Sequence, residues 1–313
     1  MNLYAAFGLA IRSNLSLDGL PPGREGDPVT IEFVDGAAPS GPSARRLRWE
    51  VPDGAWTIDL TADGGGIVVT RDASLSLADA KTVTLTAGIG ACLGVKGVPV
   101  LHGCAISLDG QAILALGAPG HGKSTLAGAA IEAGHALLAD DIAALAERDG
   151  GVWVHPGGTR LRLHADAAAG LGWDPGALPR VFETDHLEDK RYIELSAAEG
   201  SFSPSPRPLA AVYVLGERGA SEPEIAGLGP AEALGHLLGN TYGEHMPRAE
   251  LLPFWARLAE RVPVSRVRVP DDVAALPRVI EALAADARSP RVAGGGAREA
   301  RRGSTAPASG ASA

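Results

Sequence analysis

The chain has little cysteine: Cys92 and Cys104 are its only two, and neither sits in a paired metal-ligand spacing. That excludes a disulfide scaffold, offers no zinc pattern, and fits a reducing cytoplasm. Basic residues are outnumbered, 28 against 37 acidic, for a net charge of −9. Such a chain has weak nonspecific attraction for nucleic acid or an anionic membrane, so neither is expected as a partner. No run of about 18 apolar residues could span a bilayer, and the opening MNLYAAFGLAIRSN lacks the basic start of a secretory signal. No internal repeat occurs at solenoid or propeller periods. Lysine is the scarcest charged residue: Lys81, Lys96, Lys123 and Lys190 are four of the 28 basic residues, leaving 24 arginines. What the chain does have is length, 313 residues, and 45% hydrophobic content, enough for one large domain or two smaller ones.

Three zones separate along it. Residues 1–98 carry alternating stretches, PVTIEFVDG, RLRWEVPDG, AWTIDLTADGG and GIVVTRDA, joined by Asp-Gly and glycine-rich turns. These read as half-buried strands of a small β-rich N-terminal lobe. LADAKTVTLTAGIGACLGVKG then reads as a helix, although its threonines and glycines are poor helix formers. Residues 99–288 mix strands and helices, with helices expected at PAEALGHLLGNTY and LLPFWARLAERV. Residues 289–313 are small, polar and breaker-rich, a composition that buries nothing and is expected to be disordered.

The chemistry concentrates in residues 101–145, LHGCAISLDGQAILALGAPGHGKSTLAGAAIEAGHALLADDIAAL. QAILALG is a strand-length apolar run, GAPGHGKST a turn, and TLAGAAIEAG a helix that stops at Gly134. Strand, loop and helix form the context that a phosphate-binding G-x-x-x-x-G-K-[ST] loop requires. Gly117, Gly120 and Gly122 admit backbone conformations that let successive N–H groups converge on phosphate oxygens, with Ala118, Pro119 and His121 between them. Lys123 would reach the β- and γ-phosphates of ATP, the Ser124 hydroxyl would complete the coordination of Mg2+, and Thr125 is a second hydroxyl. Four lysines in the whole chain make one at this point more than background. The bland alternative is a glycine-rich surface turn, in a chain that contains 41 glycines.

A buried strand, Ala136 to Ala139, should follow and end at Asp140 and Asp141 close to the loop. Neighbouring strand residues point to opposite faces, so the two carboxylates should differ in role unless the strand ends there. A carboxylate at that place can anchor magnesium or accept a proton from an incoming hydroxyl; the alternative is a turn or helix-cap pair. His102 opens a strand, as a core histidine could equally do.

These residues resemble the catalytic core of HPr kinase/phosphorylase and the wider group of HPr-kinase-like serine kinases. His102 lies 21 residues before Lys123, and Asp141 lies 18 after it. The resemblance implies an α/β fold with a mixed sheet, related to phosphoenolpyruvate carboxykinase, and ATP-dependent phosphorylation of a serine on a peptide or protein. It implies Asp141 as base, Lys123 and Ser124 on phosphate and magnesium, His102 beside the reacting phosphate, and Asp140 on the metal side. The glutamate segment and the downstream arginine signature of true HPr kinases are not found. The chain is therefore more similar to stand-alone relatives, including kinases of ribosomal precursor peptides. Arg160, Arg162, Lys190 and Arg191 read either as phosphate contacts or as a solvated charged face. Two other classes stay open: a small-molecule kinase or carboxykinase relative, and a nucleotide-binding module that transfers nothing. Homo-oligomer formation also stays open.

Overall fold

The computed structural model describes residues 1–23, 28–36, 45–51, 54–184, 187–242 and 248–289. All but the first residue of the expected disordered tail lies outside them. The elements run β1 (Asn2–Ala6), β2 (Leu9–Ser13), β3 (Val29–Asp35), β4 (Arg45–Val51), β5 (Gly54–Leu60), β6 (Gly66–Arg71), α1 (Leu77–Val83) and α2 (Ile89–Val95). There follow β7 (Val100–His102), β8 (Cys104–Leu108), β9 (Gln111–Leu116), α3 (Lys123–Glu132), β10 (Ala136–Ala139), β11 (Ile142–Arg148), β12 (Gly151–Val154), β13 (Arg160–His164) and α4 (Ala165–Gly170). The chain continues through β14 (Lys190–Glu194), β15 (Arg207–Arg218), β16 (Glu224–Gly227), α5 (Pro230–Gly239), α6 (Arg248–Arg261), β17 (Val264–Val269) and α7 (Leu276–Arg288).

The architecture is mixed α/β. A six-stranded sheet, in the order β1-β2-β3-β6-β5-β4, precedes a larger sheet ordered β10-β8-β9-β15-β12-β11-β7, in which β17 pairs with β15 and β16 with β17. In the large sheet β9, β15 and β17 are parallel, while β8 and β10 are antiparallel additions. Alternation along β9 and β15 sorts side chains into two cores, as the period of two requires. Ile113, Ala115, Ala211, Tyr213 and Leu215 face α3 and α7, where they meet Leu126, Ala130, Ile280 and Leu283. Leu114, Leu116, Val212 and Val214 face α5 and α6, against Leu237, Trp255 and Leu258. Each fully buried leucine contributes about 1.5–3 kcal/mol relative to an exposed one. The apolar runs QAILAL and LAAVYVL thus read continuously because both faces of these strands are covered.

The stretch between the sheets is helical from Leu77 to Val95, interrupted by one wide turn at Thr84–Gly88 with i→i+5 geometry. Ser76 caps α1 by accepting from Asp79 N. The Asp79 carboxylate is fully buried and accepts from the backbone of Glu183 and Thr184. A third core lies under the six-stranded sheet, where Ile31, Trp56, Ile58 and Val69 pack on Ile89 and Leu93. Val100 of β7 and Ile142 and Ala144 of β11 belong to the same cluster. The N-terminal sheet therefore sits directly on the two strands that lead into and out of the site.

Candidate functional site

The tip between β8 and β9 is Asp109-Gly110, both with positive φ, the conformation of a tight hairpin. β9 then carries the chain to Gly117, where the loop begins. Gly117 has φ +146° and Gly122 has φ +86°, in the region that glycine adopts without a Cβ penalty. A Cβ on Gly117 would also lie 3.0 Å from the carbonyl oxygen of Leu215, and one on Gly122 would strike the guanidinium of Arg218. From Gly122 the chain turns into α3, whose first N–H groups have no intrahelical acceptor and point into the loop. His121 braces the turn, its N–H donating to Ala118 O and its Nδ1 lying 3.0 Å from Leu215 O. At the far end of α3, His135 N donates to Ala130 O and Gly134, at φ +85°, ends the helix as expected.

Lys123 is the first residue of α3 and is buried. Its Nζ donates to Gly117 O at 2.8 Å and to Ala118 O at 3.3 Å, so the ammonium lies within the curl of the loop. Burial holds its pKa below the ordinary value, against the pull of the neighbouring Cys104, Asp141 and Asp140. Pro119 and Gly120 form the exposed crest, and Thr125 lies one step along α3 on the side away from the aspartates.

β10 ends at Ala139, so Asp140 and Asp141 occupy the turn into β11, and Asp141 has φ +69°. The strict opposition expected of neighbouring strand residues does not apply, and both carboxylates converge on Arg162. Asp140 Oδ1 accepts from Ser124 Oγ at 3.2 Å and from the Cys104 thiol at 2.9 Å. Its Oδ2 accepts from Arg162 N at 3.1 Å, with Arg162 Nε at 3.5 Å. Asp141 Oδ2 is 3.0 Å from Arg162 Nη2, and its Oδ1 is 3.2 Å from His102 Nδ1. Burial works to raise the Asp141 pKa, but Arg162 and then His102 outweigh it and hold the carboxyl below its usual range. Burial opposes the charge of Arg162 as well, and the two aspartates more than offset it, keeping the guanidinium charged.

His102 is the last residue of β7, paired in register with Ile142, and its N–H donates to Asn240 O. It is therefore neither a simple core histidine nor remote from the acid pair. Burial lowers its pKa, only partly opposed by Asp141, and its Nδ1 faces the Asp141 carboxylate. Its ring lies 5.9 Å from that of Tyr242. Gly103 follows because a Cβ there would lie 2.7 Å from Ala115 O. Cys104 is fully buried, and its burial, then Asp140, push its thiol pKa well above the usual value. A thiol in that state donates its hydrogen and is not a nucleophile.

His102, Lys123, Ser124, Asp140, Asp141 and Arg162 thus belong to one neighbourhood, loop on one side and acid pair on the other. The charged-face reading fails for Arg162, whose side chain is only 17% exposed and lies between the two aspartates. Of its neighbours, Arg160 pairs with Glu194 and lies over the Tyr192 ring, Lys190 pairs with Glu188 and also helps hold the Asp141 pKa down, and Arg191, as little exposed as Arg162, pairs with Asp189. Sequence reasoning missed Cys104 as a partner of Asp140, and Asn240, whose Oδ1 is 3.4 Å from Gly117 N.

No family model matches the chain, and no curated protein matches it. Among solved structures it is similar to the Hpr(Ser) kinase/phosphatase from Coxiella burnetii, at 15% identity and a TM-score of 0.32, over 60% of this chain and 95% of that one. A likeness of that degree assigns neither a family nor an activity.

Proposed function

We propose that the protein is an ATP-dependent kinase that transfers the terminal phosphate to a serine hydroxyl of a peptide or protein, such as a ribosomal precursor peptide. The observation that carries the reading is the placing of an ionised carboxylate, Asp141, opposite a phosphate-type loop with its own buried lysine. The acceptor class rests on the resemblance of residues 101–145 to the HPr-kinase-like group.

Oxygen donors suit magnesium, which binds through one or two carboxylates and the substrate's own phosphates rather than through a complete protein cage. Ser124 Oγ and Asp140 Oδ1, 3.2 Å apart, are such a pair, and among the described residues no group of three or more His, Cys, Asp or Glu side chains is arranged to hold a metal ion by itself. Asp140 and Ser124 would hold the ion, which supplies charge neutralisation on the phosphates. The thiol of Cys104 and the backbone of Arg162 fix the Asp140 carboxylate.

Lys123, released from Gly117 O and Ala118 O, would meet the phosphate oxygens together with the N–H groups at the start of α3. The serine oxygen attacks the terminal phosphorus, the bond to the bridging oxygen breaks, and the serine proton passes to Asp141. Such a transition state is loose, so the proton leaves late and a carboxylate of depressed pKa suffices as acceptor. His102 and Arg162 hold Asp141 in place and ionised. Most of the acceleration comes from positioning and charge neutralisation.

The test is incubation with ATP, Mg2+ and serine peptides, read by mass spectrometry. A phosphoserine product is expected. Asp141→Asn should lower turnover about 10²–10⁴-fold with nucleotide affinity kept. Hydrolysis without any phosphopeptide, or unchanged transfer in that variant, overturns the assignment.

A further inference from the structure

A second concavity lies on the far side of the loop from the aspartates. Gly122 and Thr125 form one wall, Leu215 and Arg218 at the end of β15 another, and Asp271 and Leu276 the third. Its floor is apolar, since Leu126, Leu215, Val269 and Leu276 are all buried. β9, β15 and β17 are parallel, so their carboxyl ends open on one edge of the sheet, where ligands of open α/β sheets bind.

Two charged side chains on its rim are unspent. Around it, Arg266, Arg268 and Arg278 are paired with Glu232, Glu224 and Glu222. Arg218 has no such partner among the described residues, and its guanidinium lies over Gly122, against the loop. Asp272 is committed to capping Ala274 N, while Asp271 beside it has no hydrogen-bond partner among the described residues. Carboxylates on the rim disfavour a second anion there. An apolar floor, a planar cation on the wall beside the loop and a free acceptor at the edge suit a flat heterocycle bearing N–H or hydroxyl donors.

The direction of a bound polyphosphate points the same way. Ser124 Oγ faces Asp140, while Thr125, the next residue, lines this concavity. A phosphate chain with its terminal phosphate at Lys123 and Asp141 would cross the first turn of α3 and leave the loop here.

We infer that this concavity is the nucleoside subsite, with the base between Arg218 and the floor and Asp271 accepting from the base or the ribose. The inference rests on the nucleotide reading of the loop. The concavity is shallow, so one edge of the base stays in water.

Titration calorimetry of the full chain with Mg2+ compares ADP with inorganic pyrophosphate, in the natural protein and in Arg218→Ala, an exposed position that the fold does not depend on. ADP should bind more tightly than pyrophosphate, and Arg218→Ala should weaken ADP about five- to ten-fold and pyrophosphate less than about two-fold. Equal weakening of both makes Arg218 a phosphate ligand and overturns the subsite, as does unchanged ADP affinity or ADP binding no tighter than pyrophosphate. Lys123→Ala separates the two readings: it should weaken both ligands, and if it weakens neither, the loop reading itself falls.

Discussion

Replacing Arg162 by methionine removes the guanidinium that contacts both Asp140 and Asp141 while keeping most of the side chain's length. The side chains of the trio are 17%, 6% and 27% exposed, so the charges left behind have little water to turn to. Breaking a buried pair by deleting one partner costs about 3–5 kcal/mol. The lower end applies, because Asp140 keeps Ser124, the Cys104 thiol and the Arg162 backbone N–H, and Asp141 keeps His102. A loss of about 3 kcal/mol lowers the melting temperature by roughly 6–12 °C at 2–4 °C per kcal/mol. The loss should depend on pH. In the natural protein the Asp141 carboxyl is held low, so its contribution is present above the unfolded value, about 3.9, and is lost as pH falls through the folded one. Without Arg162 the burial of Asp141 loses its largest opponent, so its pKa rises and ionisation costs stability at neutral pH. The gap between the two proteins is therefore widest near pH 7 and narrows toward pH 4. Circular-dichroism melts across that range measure it, and Arg162→Met/Asp141→Asn should regain about 1 kcal/mol or more. A loss below about 1 kcal/mol, or one that does not change with pH, refutes the argument.

Lys123→Ala should reduce Mg-nucleotide affinity at least about ten-fold with little change in melting temperature, because its ammonium donates to two loop carbonyls, Gly117 O and Ala118 O, and makes no ion pair among the described residues; calorimetry and melting read the two effects separately. Gly90→Ala would drive a methyl group into the Tyr242 ring, which lies beside His102. A loss of about 1–3 kcal/mol is expected from the overpacking, together with reduced turnover; a variant equal to the natural protein in both would show that the tyrosine moves aside freely.

Much of this site can be read directly from the amino acids. The loop, α3, β10 and the two helices α5 and α6 follow from periodicity and glycine placement, since local chemistry determines them. Long-range partners leave weaker marks. Arg162 is 22 residues from Asp140, and nothing local announces their pairing. The signal present was the alternation in RLRLH, which turns Arg160 and Arg162 away from the buried Leu161 and Leu163. It sets a face without saying what that face meets. Cys104 is similar: as an isolated thiol it carries no pattern, and its role comes only from the register of β8 against β10 and the helix above. The hairpin of β1 and β2 was missed because LYAAFGLAIRS alternates poorly and turns at Phe7-Gly8, where a phenylalanine holds positive φ. The wide turn at Thr84–Gly88 has no sequence rule beyond its weak helix formers.

The apolar cluster beneath the six-stranded sheet reaches across to Val100, Ile142 and Ala144. A chain shortened to begin at residue 99 would peel the roof from the strand ending in His102 and from the one that starts beside Asp141. The front third of the molecule is thus the backing plate of the reaction centre, and fragments made to isolate the loop and its acids should be cut ahead of β1, never behind α2.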